Sequence, residues 1–287
     1  MTSENRFQKV AVLGAGTMGA GIAQVCAQAG STVVLCDISD ELVASGRERI
    51  RAFLQKGVDR GKTTEEQRDA TLARIASATD RAAACRDVDL VVEAVPERLD
   101  LKNSIFRELG ELVSPACVLA SNTSSLSLAK VFDGVAGSER CIGWHFFNPV
   151  PLMKLLELVR TEATSEGTIA ASQAYASLLG KEPILVKDSP GFASSRLGVC
   201  LGLEAIRMLE SGVASAEDID KAMVLGYGHP MGPLKLTDLV GLDVRLAIAD
   251  YLKDELGLAG FAAPELMRRM VAEGKLGKKS GRGFYTW

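Results

Sequence analysis

The stretch from Gln8 to Asp37, QKVAVLGAGTMGAGIAQVCAQAGSTVVLCD, limits the possible folds more than any other part of the chain. A short apolar run reads as a strand, a glycine-rich turn follows, then a helical pattern, then a second strand-like run ending in an acid. Gly14, Gly16 and Gly19 are spaced GxGxxG between that strand and that helix. The first glycine permits the tight turn, the second lets backbone approach a pyrophosphate, and the third lets helix pack on strand, while the helix N-terminus faces the anion. Thr17 and Met18 fall inside the same turn and join the expected cofactor-binding residues. Asp37 closes the second strand at the spacing of a ribose-binding acid, where a carboxylate accepts from the adenosine ribose hydroxyls and repels the extra phosphate of NADP. NAD is therefore the expected cofactor. The competing reading is a glycine turn used only for packing.

Strand and helix patterns keep alternating, with strand-like VDLVVEAV (88–95), helical RLDLKNSIFRELGELV (98–113) and strand-like CVLASN (117–122), which predicts a parallel sheet. Residues 39–76 read as helix with a break around Gly57–Thr64, a helical hairpin inserted between strands. Beyond Lys187 the strand signal fades into helical patterns at 190–210, 215–224, 232–256 and 262–273. The expected class is α/β, a Rossmann-type doubly wound sheet with an inserted helical hairpin, followed by a mainly α-helical C-terminal domain. The segment VKDSP sets the boundary, giving domains 1–187 and 188–287. A chain of 287 residues has ample length for a large core. With 47% apolar and 24% charged residues, it lies near the average for soluble domains, which excludes disordered and collagen-like classes. A net charge of −3 argues against a nucleic-acid footprint, and no apolar run is long enough for a signal sequence or membrane span. The expectation is a cytoplasmic protein without nucleic-acid or membrane partners. Its six cysteines are scattered without a CxxC pair and read as buried free thiols, and with only two histidines no metal site is expected.

The densest chemistry lies in GWHFFNPVPLMKLLELV, Gly143 to Val159. Asn148-Pro149-Val150-Pro151 is a turn signal, and His145 and Glu157 lie equally far on either side of Pro151. If the chain doubles back there, the two side chains face each other across paired strands. A carboxylate beside an imidazole fixes its tautomer, as a general base requires; a core histidine satisfied by a neighbouring acid is the plainer alternative. His229, between proline and glycines in GYGHPMGP, reads as a loop or helix-entry residue. In SNTSSLS, Ser124 follows a strand where such sheets bind ligands; it suits either a donor to a substrate or cofactor oxygen or a helix cap. No GxSxG elbow surrounds it, which argues against a nucleophile.

GAGTMGAGIAQ, VEAVPERLDLKNSIF, SNTSSLS, HFFNPVPLMKLLELV, KDSPGF, HPMGPLKLTDLVGLD and GKKSGRGFY occur in this order along essentially the whole chain. Together they resemble the 3-hydroxyacyl-CoA dehydrogenases, most closely the short stand-alone bacterial type acting on 3-hydroxybutyryl-CoA. The resemblance implies reversible, NAD-dependent oxidation of an L-3-hydroxyacyl-CoA to the 3-ketoacyl-CoA. It implies His145 as general base, Glu157 as its orienting carboxylate and Ser124 as a hydrogen-bonding residue near the substrate oxygen. Asn148 is implied near the nicotinamide, and Glu97, Lys102 and Lys279 on the cofactor side. The helical hairpin is implied to contact CoA, where Lys56 and Arg60 are the matching basic residues, with Lys62 nearby and Phe53 where a small polar residue is expected; solvated charges are the alternative. The C-terminal domain is implied to form a homodimer and to close over the acyl chain.

KDSPGFASSRLGV departs from the family pattern PGFxxNR by placing Ser195 where asparagine is counted among the catalytic residues, beside a matching Arg196. Ser189 is expected to cap a helix whose first residue is Pro190, with Phe192, Ser195 and Val199 on one stripe. Ser195 is then a shorter substitute lining the site. Alternative substrates are 3-hydroxyadipyl-CoA or a hydroxy acid without CoA, of the gulonate type, and a non-catalytic NAD-binding protein is the alternative from another class.

Overall fold

Short runs of β-branched and aliphatic residues, covered on both faces, build the sheet of the first unit: in β1 (Lys9–Leu13) every residue but the first is buried. The computed structural model describes residues 6–287, and the chain divides into two units, Met1–Asp188 and Ser189–Trp287. The other strands are β2 (Thr32–Cys36), β3 (Ile75–Ala78), β4 (Leu90–Glu93), β5 (Val118–Ser121), β6 (Cys141–Phe146), β7 (Leu155–Arg160) and β8 (Glu182–Lys187). They form one sheet in the order β3-β2-β1-β4-β5-β6-β7-β8. The first six run parallel, β7 turns back antiparallel to β6, and β8 runs parallel to β7. The strand order reverses between β1 and β4, so the carboxyl ends of these strands flank the crevice where such sheets take ligands.

Helices α1 (Thr17–Gln28), α2 (Asp40–Asp59), α3 (Glu65–Ala73), α4 (Arg81–Ala84), α5 (Leu99–Leu112), α6 (Leu128–Val131) and α7 (Glu166–Leu178) belong to this unit. The pair α2 and α3 is the hairpin expected between strands. Thr64 ends its break with a capping box, its hydroxyl accepting from Gln67 N and the Gln67 side chain accepting from Thr64 N. Strands β3 and β8, absent from the expectation, are short or mostly exposed and carry little periodicity. An aromatic cluster of Phe7, Trp144 and Tyr175 lies in the core, Phe7 meeting Tyr175 edge-on at 5.1 Å.

The second unit is helical: α8 (Ser194–Glu210), α9 (Ala216–Tyr227), α10 (Pro233–Val240), α11 (Leu242–Leu256) and α12 (Glu265–Ala272) surround Leu203, Ile206, Leu234, Leu252 and Met267. Two expectations are corrected. The helix expected from Pro190 starts at Ser194, because Gly191 (φ +73°) and Phe192 (φ +50°) are left-handed and cannot continue a right-handed helix. Phe192 therefore lies outside the helix, and its amide donates to Ser189 O at 2.8 Å. The single helix expected over 232–256 is two, parted at Gly241, whose φ of +107° breaks the run. Among the described residues no helix is long and apolar enough to cross a membrane.

Candidate active site

The glycine turn follows β1. Gly14 has φ +100°, and a Cβ there would lie 2.5 Å from Ala94 O; a Cβ on Gly19 would lie 1.8 Å from Gly14 O. Both positions are thus closed to any side chain. At Gly16, by contrast, a Cβ meets nothing within 4 Å, so the space over the turn is open. Gly16 caps α1 without a side-chain hydrogen bond, and the first turn carries no acid. Its leading N–H groups are left for an anion from outside the helix. Thr17 opens the helix exposed, and Met18 packs partly against the core. Asp37 follows β2, with Oδ2 accepting from Ala15 N at 2.6 Å and Oδ1 from Ile38 N at 2.7 Å, which fixes the acid beside the turn. These residues fit a dinucleotide: an open backbone cradle for pyrophosphate and a placed carboxylate for a ribose.

His145 and Glu157 are direct partners in the antiparallel register of β6 and β7. His145 Nδ1 lies 2.6 Å from Glu157 Oε2, with the glutamate side chain fully buried and the imidazole 8% exposed. A carboxylate accepts only, so Nδ1 carries the proton and Nε2 is left as the acceptor. Phe147 packs on the imidazole at 4.4 Å between ring centroids. The amide of Phe146 donates to Asn122 Oδ1 at 3.0 Å, tying the end of β6 to the end of β5. Asn148 is exposed on the turn that follows.

Beyond β5, Ser124 is half-buried and bonded to Glu97: its N–H donates to Oε1 at 2.9 Å and its hydroxyl to the same oxygen at 3.3 Å. Thr123 Oγ1 donates there too, at 2.6 Å. Lys102 is fully buried, its ammonium donating to Glu93 Oε1 at 2.6 Å and to Val95 O at 3.2 Å, with Glu97 Oε2 at 3.3 Å. Glu93, Asn122 and Arg49, whose Nη1 donates to Ala15 O at 3.1 Å, are the residues sequence reasoning missed. Glu93 left a signal: a lone acid in the apolar run LVVEAV must find a buried partner.

Lys56 and Arg60 are exposed at the end of α2. Phe53 lines a cleft with Thr17, Gln24, Arg49 and Asn148. In the second unit, Ser195 is the half-buried second residue of α8, Lys279 Nζ donates to Asp243 Oδ2 at 2.6 Å, and His229 follows the end of α9.

A doubly wound sheet with an open glycine turn, a placed acid after β2 and a buried histidine–glutamate pair at its carboxyl edge defines an NAD-dependent oxidoreductase acting on an alcohol. The family model for the 3-hydroxyacyl-CoA dehydrogenase NAD binding domain matches residues 9–189, and that for the C-terminal domain matches residues 191–287. A 3-hydroxybutyryl-CoA dehydrogenase of Mycobacterium tuberculosis is 47% identical over 98% of this chain and 99% of its own. The human mitochondrial hydroxyacyl-coenzyme A dehydrogenase is 43% identical over 97% of this chain and 90% of its own. The crystal structure of (S)-3-hydroxybutyryl-CoA dehydrogenase from Ralstonia eutropha superposes with a TM-score of 0.94 at 43% identity, covering 98% of this chain and 99% of that one. The chain belongs to the 3-hydroxyacyl-CoA dehydrogenase family.

Proposed function

We propose that the chain interconverts a short-chain L-3-hydroxyacyl-CoA, with 3-hydroxybutyryl-CoA as the reference substrate, and its 3-ketoacyl-CoA, using His145 as general base. The observation that carries this reading is the 2.6 Å contact of His145 Nδ1 with the buried Glu157, which orients the imidazole and makes Nε2 the nitrogen that accepts. An alcohol is a very weak acid, so losing its C3 hydrogen as hydride requires its hydroxyl proton to leave in concert. His145 Nε2 takes that proton, and Glu157 balances the imidazolium so formed. In reverse, the imidazolium polarises the ketone. When bound, NAD supplies the acceptor for the hydride. Gly14, Gly16, Thr17, Met18 and Gly19 would hold its pyrophosphate, Asp37 its ribose, and Asn148 and Glu97 its nicotinamide side; Lys102, expected on the cofactor side, is fully buried and reaches that side only through Glu97. With substrate bound, the Ser124 hydroxyl turns its one proton from Glu97 Oε1 to the substrate oxygen, while the Ser124 N–H stays on Glu97.

The roles of Ser195 at the substrate and Lys279 at the cofactor rest on the motifs SPGFASSR and GKKSGRGFY. Lys56 and Arg60 bind the CoA phosphates. A homodimer through the second unit is supported by exposed Leu197, Leu225 and Tyr227 on α8 and α9, and light scattering of the purified chain tests it. A cytoplasmic location accords with the free cysteines. The function itself is tested by NADH oxidation with acetoacetyl-CoA, longer 3-ketoacyl-CoA thioesters, a dicarboxyl thioester, free acetoacetate and gulonate-pathway acids. Highest kcat/KM is expected with acetoacetyl-CoA. Turnover of the free acids alone overturns the reading, and no turnover at all favours a binding protein. His145→Gln is expected to lower kcat by about 10²–10⁴-fold while the chain stays folded.

A further inference from the structure

Beneath the Ser124 loop, three elements bring together a network of charges. Glu93 ends β4, Ser121 ends β5, and Lys102 lies in the first turn of α5. All three are 0% exposed. Glu93 Oε1 accepts from Lys102 Nζ at 2.6 Å and from Val95 N at 2.7 Å, and its Oε2 accepts from Ser121 Oγ at 2.7 Å. On its other side Lys102 faces Glu97 Oε2 at 3.3 Å. The second oxygen of Glu97 takes the Thr123 hydroxyl and both the N–H and hydroxyl of Ser124.

An ammonium removed from water requires a full countercharge in contact with it. Glu93 provides that countercharge at the shorter distance. Glu97 can then bind Lys102 with one oxygen and keep the other for the Ser124 loop. Without the charge of Glu93, Lys102 draws Glu97 inward, and the oxygen that holds Thr123 and Ser124 is withdrawn from them.

We propose that Glu93 is a positioning residue for the reaction: through Lys102 and Glu97 it fixes where the Thr123–Ser124 backbone, and with it the Ser124 hydroxyl, sits. Glu93 is itself fully buried and acts only through its neighbours. Lys102 acts in the same relay, with its ammonium enclosed by Glu93, Val95 and Glu97. The inference rests on the role proposed for Ser124 and goes beyond it by naming what orients that serine.

The test is a double-mutant cycle between Glu93→Gln and Ser124→Ala, read as kcat and KM for acetoacetyl-CoA and NADH. Glu93→Gln keeps shape and hydrogen-bonding reach but removes the charge. Expected is a roughly tenfold loss of kcat with KM for the thioester changed less than about twofold, and no further loss when Ser124 is already alanine. A damaged fold would lower activity equally in both backgrounds. Equal losses in the two backgrounds, or an unchanged kcat in Glu93→Gln, overturn the proposal. Should Glu93→Gln fail to fold, Glu93→Gln with Lys102→Met removes both charges at once, and the same non-additivity with Ser124→Ala is expected of it. Wild-type turnover and His145→Gln are measured alongside. A wild type inert towards acetoacetyl-CoA defeats the functional reading, whereas an active wild type with additive losses defeats only the role of Glu93.

Discussion

Glu157 is buried completely, and a carboxylate so placed is tolerated only with a donor in contact, which His145 provides. Glu157→Gln keeps the size of the side chain but removes the charge proposed to balance the imidazolium, and either an amide oxygen or an amide NH₂ now faces Nδ1. A kcat lower by about 10²-fold is expected, with the KM for acyl-CoA little changed, in steady-state assays beside His145→Gln. This pair was legible in the sequence because His145 and Glu157 are equally spaced about Pro151, and an antiparallel return makes equal spacing a contact. Glu93 was not recognised, since its partner Lys102 lies on the next helix and no local period joins them. Ser195 is a different case. Its motif was clear, but its surroundings were misread: it is the second residue of α8, not a residue one turn inside a helix begun at Pro190. A serine offers one short hydroxyl where an amide offers a longer reach and two hydrogens. Ser195→Ala is expected to lower kcat/KM about two- to tenfold, the worth of one neutral hydrogen bond of roughly 0.5–1.5 kcal/mol. Unchanged kinetics would make Ser195 only a small helix residue.

The unit formed by β1, the glycine turn and α1 separates two jobs that the motif GxGxxG merges. Gly19 serves packing, since its added Cβ would sit 1.8 Å from Gly14 O, inside the backbone of the preceding turn. Gly16 serves access, since its added Cβ meets nothing within 4 Å and its φ of −67° suits any residue. Gly19→Ala is therefore expected to lower thermal stability sharply or prevent folding. Gly16→Ala is expected to keep the melting temperature within a few degrees while weakening NAD binding, because its methyl group projects into the open space over the helix start. Calorimetric titration with NAD and thermal denaturation of both variants separate the two effects. Equal losses of stability would refute the division. The existence of this unit was legible because strand and helix periods change at a glycine cluster. The starts of α8 and α11 were not. Their boundaries depend on left-handed backbone at Gly191, Phe192 and Gly241, and a phenylalanine gives no local sign that it will adopt φ +50°.

Across the whole chain, the cysteines show how burial sets chemistry. Five of the six, Cys26, Cys36, Cys85, Cys117 and Cys141, are buried in the first unit, and Cys200 on α8 is exposed. Burial pushes the thiols of Cys26, Cys85, Cys117 and Cys141 up to about 12, and that of Cys36 up as well, because a thiolate in an apolar interior loses its hydration. At pH 8 only Cys200 is expected to react quickly with a thiol reagent, the others reacting on unfolding in urea. The sign of the pH effect follows from the same shift. A thiol whose folded pKa is raised binds its proton more tightly in the native chain, so its contribution to stability is whole below the unfolded value near 9 and is lost as pH rises towards 12. In that window the unfolded chain releases protons that the folded chain retains. Each such thiol adds a slope approaching about −1.4 kcal/mol per pH unit, and the four act together. Urea midpoints measured at pH 8, 9 and 10 should fall with increasing steepness, and replacing Cys85 and Cys117 by alanine should flatten that fall while lowering stability at pH 8 through the cavities left behind. A midpoint unchanged between pH 8 and 10 would mean that these sulfurs reach water in the native protein, contrary to their burial.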